Sequence, residues 1–451
     1  MTITTGTYQK IAILGAGESG VGAALLARRN GLDVLVSDAG KIKPLFRHEL
    51  ETAGISFEEN GHNAKALSSC DLVVKSPGIP DEAPIVKKLA IKIPVVSEIE
   101  FASWYTKAHI TAITGSNGKT TTTLLTGHIM QSAGLDVAVG GNVGKSFARI
   151  LAEADHAHFV LEISSFQLDG IKSFRPHIAI LLNITPDHLD RYGYSFDNYA
   201  QSKMRITLNQ REDDYLIYYY DDPETRRRVE CSKSKAKRMP FSTEGNVFAE
   251  GGYLTGNHFV VNTNQDLFTM TIEELALQGK HNAANSLAAG IASRLIQIRK
   301  ESLKQSLSNY QNVPHRLEFV ANVHGVAYIN DSKATNVNST WYALESFQRP
   351  VVWIAGGQDK GNDYGQLTSL VRQRVRAMIC IGADNTKLLK AFGEIVPRIL
   401  TAETIEQAVT MASLIAVKDD VVLLSPACAS FDRYQNYEER GDRFKGAVKA
   451  L

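Results

Sequence analysis

The chain has 451 residues, too many for one ordinary hydrophobic core, and this predicts two to four domains. Its 44% apolar and 22% charged residues fit a soluble globular protein and disfavour disordered, collagen-like and membrane classes, while a formal charge of only +1 speaks against nucleic-acid binding. Four scattered cysteines (Cys70, Cys231, Cys380, Cys428) form no CxxC pair, so neither a zinc knuckle nor a disulfide framework is expected. With no signal-peptide pattern and no apolar run of roughly 18 residues, a cytoplasmic protein without membrane insertion is expected.

In chain order, the strand KIAIL leads through Gly15-Ala-Gly17-Glu-Ser-Gly20 into the helical run VGAALLARRNG. DVLVSD, ending at Asp38, and DLVVKSPG follow as further strands. Alone this is a dinucleotide fingerprint, and an NAD-linked oxidoreductase is its natural reading. No hydride-transfer constellation follows it. A second series of short buried strands comprises HITAITG, DVAVGGN, HFVLEIS and HIAILLNIT. A third comprises VAYINDS, VVWIAGG, AMICIGA and VVLLSPA. Strand-helix alternation in all three predicts an α/β chain of three domains: Rossmann-like at 1–97, a P-loop ATPase-like parallel sheet at 98–311, and Rossmann-like again at 312–451. The basic run RRRVECSKSKAKR, residues 226–238, reads as a solvated surface loop rather than a nucleic-acid site.

The strongest signal is HITAITGSNGKTTTTLLTGHIM, a strand running through Gly115, Ser116, Asn117, Gly118, Lys119, Thr120 and Thr121 into an apolar helix. Glycines let backbone N–H groups turn inward on phosphate, and the helix N-terminus favours anions. Lys119 supplies a mobile cation, and Thr120 a hydroxyl for Mg²⁺. Only two residues separate Gly115 from Gly118, fewer than in the common phosphate loop.

That shortened loop resembles the loop of the Mur ligases and folylpolyglutamate synthases, which activate a carboxylate by phosphorylation. The resemblance extends through LEISSFQL, LNITPDHLDRYG, QGKHNAANSLAA, VPHRLEFV, INDSKATN, AGGQDKGNDY and LSPACASFDRYQNYEERG in the same order. The last segment, with the Rossmann-like opening, is most similar to the branch of the Mur ligases that adds D-glutamate to UDP-N-acetylmuramoyl-L-alanine. It implies those two substrates, ATP, two Mg²⁺ ions and a monomer. It opposes a diaminopimelate-type or folate-type ligase, and the site residues it implies oppose a nucleotide switch that hydrolyses ATP without ligation.

Ligation through an acyl phosphate crowds negative charge, so cations must converge. The resemblance implies Glu162 and His188 as Mg²⁺ ligands with Thr120, although the residues alone favour Asp187 and leave His188 unusual for a hard cation. Asp187 is then left a capping or orienting role. Lys203 matches a family lysine that is N-carbamylated; by composition alone it is an ordinary solvated lysine. Asn142 resembles a residue positioning the acyl substrate, a task that His188 shares. Asn282 resembles the adenine-side contact, Arg316 a phosphate contact, and Asp331 and Lys333 ribose and phosphate contacts; such a divided site must close by domain movement. Thr335, Lys360, Ser430 and Phe431 resemble the D-glutamate site, where Tyr437 stands for a frequent phenylalanine. Ser19, Gly20, Asp38, Ser76 and Gly78 are candidates for the UDP end, and SDAGKIKP departs from the family's threonine-arginine pair there.

Overall fold

The β-branched runs become strands of three separate sheets. The computed structural model describes residues 8–310, 314–359 and 361–451. The first two sheets belong to one compact unit and the third to another.

The first sheet has five parallel strands in the spatial order Ser56–Glu58, Asp33–Ser37, Lys10–Leu14, Leu72–Lys75, Val95–Ser97. Ile11 to Leu14 are fully buried, as a central strand covered on both faces requires. Strand order reverses between Lys10–Leu14 and Leu72–Lys75. Their carboxyl ends therefore bound the crevice in which open α/β sheets bind ligands.

The second sheet has nine strands. From one edge they run Val137–Gly141, His158–Glu162, His109–Thr114, Ile178–Leu181, Tyr215–Tyr219, Lys237–Ser242 and Gly251–Thr255, all parallel. His258–Thr263 and Asp266–Thr271 then continue it antiparallel. The expected parallel sheet is thus found over seven strands and is extended at one edge by an antiparallel pair. Positive φ at Gly256, Asn264 and Gln265 makes the two hairpin turns possible. The basic run is corrected. Arg226 to Arg228 lie on the helix Pro223–Cys231, capped by Asp222 and tied by Glu224 to Arg227 and Arg228, and Lys237 opens a strand. Proline at the helix start and an aspartate cap override the loop-like composition.

The third sheet orders Glu318–Val323, Val326–Asn330, Val421–Leu424, Val351–Ala355, Val375–Cys380 and Ile399–Thr401. Only its first strand is antiparallel, through a turn at His324 and Gly325, both at positive φ. No helix among the described residues is long and apolar enough to cross a membrane.

Candidate active site

The strand His109–Thr114 lies between His158–Glu162 and Ile178–Leu181 in the sheet, so the chain segments leaving these three strands emerge side by side. From the first leaves the glycine loop, with Gly115 at φ +154° and Gly118 at φ +83° before the helix Lys119–Ser132. A Cβ on Gly118 would lie 2.4 Å from Asn285 Oδ1, so a larger residue would have to push that side chain aside besides adopting a positive φ. The loop is braced from the third strand's exit. The Ser116 and Asn117 amides donate to the Asn183 carbonyl and Oδ1, each at 2.8 Å. Ser116 Oγ donates to the Thr185 carbonyl at 2.8 Å and lies 2.9 Å from the Tyr199 hydroxyl. Lys119 folds back on the loop, donating to the Gly115 and Ser116 carbonyls at 2.9 Å, and Thr120 and Thr121 are buried in the helix's first turn.

Glu162 ends the neighbouring strand. Its Oε1 accepts from Asn142 Nδ2 at 2.7 Å, while Oε2 is buried with no hydrogen-bond partner among the described residues. A buried carboxylate oxygen without a donor is costly unless a cation meets it, so Glu162 fits a hard metal ion. No three His, Cys, Asp or Glu side chains among the described residues form a metal-holding group, so an ion here would draw on the Thr120 hydroxyl and phosphate oxygens as well. His188 is about half exposed, at φ +49°, edge-on to Phe166, with Nε2 3.7 Å from Asp187. Of the two roles expected of Asp187, capping falls away for the turn Leu189–Tyr192, whose N-cap is His188, while its approach to His188 accords with the orienting one.

The solvated-lysine reading of Lys203 is overturned. The residue is 2% exposed, its Nζ donating to the Gly115 carbonyl at 2.8 Å and lying 4.8 Å from the centre of the Tyr199 ring. Burial drives its pKa well below the usual ammonium value and Lys119 adds to this, against the pull of Asp187, Asp169 and Glu162. The helix Phe196–Met204 turns this lysine inward onto the phosphate loop.

The first sheet's crevice holds the other glycine turn. Gly15, at φ +92°, faces Ser76, and a Cβ on Gly20 would lie 1.8 Å from the Gly15 carbonyl oxygen, so helix Glu18–Arg29 starts directly against the turn. Asp38 accepts from the Ala16 and Gly40 amides at 2.7 and 2.8 Å, which makes it a brace of the turn. Arg191, stacked on Phe166, reaches the Pro77 and Gly78 carbonyls at 3.3 Å and so joins the Ser76–Gly78 turn to the His188 segment. Asn282 lies inside the helix Lys280–Leu295 rather than capping it, its Nδ2 bonded to the Gln278 carbonyl at 2.9 Å.

Within the third-sheet unit, Asp331 is buried, accepting from the Leu317 amide at 3.2 Å and Ser425 Oγ at 2.9 Å, and burial pushes its pKa up to about 7. Lys333 Nζ lies 3.2 Å from the Tyr437 hydroxyl and over its ring, and that ring packs edge-on against His315. The tyrosine thus keeps the ring packing a phenylalanine would give and adds a polar contact. Thr335 and Arg316 are half-buried nearby in sequence. Ser430 is buried but its neighbour Phe431 is 65% exposed. Lys360 lies outside the described residues. Arg440, buried and bonded to the Ser332 carbonyl at 2.8 Å and to Ser332 Oγ at 3.0 Å, braces the same segment.

Sequence reasoning did not select Tyr199, Asn183, Asn285 or Arg191. Each reaches its partner across many residues of chain, and no local spacing signals that.

Residues 10–85 match the MurD N-terminal domain, 113–293 the Mur ligase middle domain, and 315–428 the Mur ligase, glutamate ligase domain. The UDP-N-acetylmuramoylalanine--D-glutamate ligase of Christiangramia forsetii is 52% identical, over 98% of this chain and 100% of that one. The protein of the same name from Porphyromonas gingivalis is 51% identical over 98% of both. In fold, the chain is similar to the UDP-N-acetylmuramate-alanine ligase MurC of Thermotoga maritima, with TM-score 0.63 and 17% identity over 98% of this chain and 99% of that one. MurF of the same organism, in complex with ADP, gives TM-score 0.61 and 17% identity over 94% and 99%.

Proposed function

From the premise that this chain belongs to the Mur ligase family, we propose that it joins D-glutamate to UDP-N-acetylmuramoyl-L-alanine, with ATP converted to ADP and phosphate, as a cytoplasmic monomer in peptidoglycan precursor synthesis. The observation that carries this reading is the meeting of the glycine loop, the Asn142–Glu162 pair and buried Lys203 at three adjacent strand ends.

A carboxylate oxygen of the alanyl residue attacks the γ-phosphorus, and ADP leaves. The D-glutamate amine then attacks the acyl carbon, phosphate departs with that oxygen, and the nitrogen sheds a proton. The loop amides and Lys119 hold the polyphosphate while charge moves between its oxygens. Asn142 fixes Glu162 and, by the family resemblance, orients the acyl group. Thr120, Glu162, His188 and a modified Lys203 would hold two Mg²⁺ ions. Bound there, Mg²⁺ would neutralise phosphate charge. Lys203 reads as the site of a carbamate, because burial favours its neutral amine over the ammonium, and the neutral amine is the form that adds CO₂ with loss of a proton. An unmodified ammonium would repel the ions that the carbamate attracts.

The labour would divide by sheet, with 1–97 taking the UDP end at Ser19, Gly20, Asp38, Ser76 and Gly78, and 98–311 the triphosphate. Residues 312–451 would take the amine substrate through Thr335, Lys360, Ser430 and Phe431, and the nucleotide through Arg316, Asp331 and Lys333. Asn282 would serve the adenine. A product assay with UDP-N-acetylmuramoyl-L-alanine and D-Glu, L-Glu, L-Lys, meso-diaminopimelate or D-Ala-D-Ala tests the reading. Product with D-Glu alone is expected. Preference for another amine, or ADP release without any amine, would refute it.

A further inference from the structure

The first glycine turn contains an acid where a phosphate-binding turn should avoid one. Glu18 is the first residue of the helix Glu18–Arg29, next to Gly17, and a carboxylate in the first turn is attracted to the free N–H groups of its own helix end. Here it points elsewhere: the N-cap, Gly17, has no side chain to offer, and Glu18 Oε1 accepts from Arg149 Nε at 2.7 Å and from the Ser146 amide at 3.0 Å. Arg149 is held in turn by Glu49, which accepts from its Nη1 at 2.7 Å. Its side chain is 12% exposed, on the helix Phe147–Glu153 that follows the Asn142 turn. The two helices can meet closely because residue 22 is glycine; a Cβ there would lie 2.3 Å from Ser146 Oγ and 2.9 Å from the Arg149 backbone.

We propose that Arg149 is a positioning residue for the UDP end of the acyl substrate: it draws the Glu18 carboxylate off the mouth of the Gly15–Gly20 turn, leaving the helix N–H groups to the diphosphate. Without Arg149, Glu18 loses its charged partner, swings back to its own helix terminus and competes with the diphosphate for the same donors. The inference rests on the proposed role of this turn and goes beyond it by assigning a residue that need not touch substrate.

The test is a double-mutant cycle in the full-length enzyme, with KM measured separately for the three substrates. Arg149→Ala is expected to raise the KM for UDP-N-acetylmuramoyl-L-alanine about tenfold, leaving those for ATP and D-glutamate within about twofold. Arg149→Ala combined with Glu18→Ala should recover most of that loss, because the freed anion is gone. Arg149→Lys, which keeps the charge, should fall between. A double variant no better than Arg149→Ala, or equal rises in all three KM values, would overturn the proposal and leave Arg149 an interhelix tie. Should Arg149→Ala fail to fold, Glu18→Gln decides. Removing the charge that Arg149 attracts, with no anion left to release, should leave the KM for the UDP substrate unchanged, and a tenfold rise would contradict the proposal. Competition by uridine and UDP in the wild type separates the underlying reading. If UDP competes no better than uridine, the turn does not bind diphosphate; if UDP is the better competitor and the cycle fails, only the Arg149 assignment is lost.

Discussion

The chain uses the same backbone device twice, at Gly15–Gly20 and at Gly115–Gly118, and the side chains around each make them different sites. Both turns leave a central buried strand and enter a helix, and both depend on glycine for close approach. Around the second gather Lys119, Lys203, Glu162 and Asn142; around the first stand Asp38, Ser76 and Glu18. A turn that moves a phosphoryl group needs cations and metal ligands where charge develops, whereas one that only holds a diphosphate can rely on backbone N–H groups. On the proposed function, backbone geometry would select phosphate and the side chains would decide whether it reacts.

The largest effect should follow from Lys119→Ala, which strips the second turn of its cation and leaves its amides. Ligation is expected to fall by about a hundredfold or more in steady-state rate. A folded variant above a tenth of wild-type rate would erase the distinction between the turns.

Lys203→Ala should lose most activity, and added acetate should restore part of it by supplying an anion in the vacated space. Lys203→Arg should be as poor as alanine, since guanidinium stays positive and adds no CO₂. Near-normal turnover of Lys203→Arg in CO₂-depleted buffer would remove the carbamate from the account.

Glycine replacements sharpen the comparison at smaller cost. Gly20→Ala drives a Cβ onto the Gly15 carbonyl and should destabilise by about 2 kcal/mol or more, with the KM of the UDP substrate rising and that of ATP spared. Gly118→Ala meets Asn285 at unfavourable φ and should affect ATP instead. The same substrate losing affinity in both variants would deny them separate tasks.

The smallest effect concerns Glu98, at the start of the helix Glu98–Ser103 that follows the first sheet's last strand. Its Oε1 accepts from the Ala148 amide and its other oxygen is buried, and burial pushes its pKa up to about 8. The folded chain then holds a proton that the unfolded chain releases above pH 4.5, so this residue favours folding at low pH and loses that contribution as pH rises from about 4.5 to 8. In Glu98→Gln the decline of Tm across that window should be shallower than in wild type. An unchanged slope would mean Glu98 is ionised in the fold.

Much of the second turn was legible because its residues are contiguous and its strand and helix are marked by composition. The central strands were legible for the same reason, as β-branched runs. The edge hairpins from Gly251 to Thr271 were not: their alternation departs from the strand-helix rhythm, and positive φ at Asn264 and Gln265 is unannounced in sequence. Lys203 shows the limit most clearly. Nothing in FDNYAQSKM says that its lysine is buried; the fold decides that by packing the helix against the phosphate loop, so only family resemblance pointed to it. Tyr199, Asn183 and Arg191 act across 66 to 114 positions of sequence, beyond the reach of any local motif.

The most direct test of the central claim is isotopic. UDP-N-acetylmuramoyl-L-alanine labelled with ¹⁸O in the alanyl carboxylate is incubated with ATP, D-glutamate and the enzyme, and the released phosphate is analysed by mass spectrometry. Transfer through an acyl phosphate predicts one carboxylate-derived ¹⁸O in each phosphate, with one ligated product per ADP. Phosphate whose one oxygen not inherited from ATP comes from water, with ADP formed but no product, would contradict the account and mark the chain as a hydrolase.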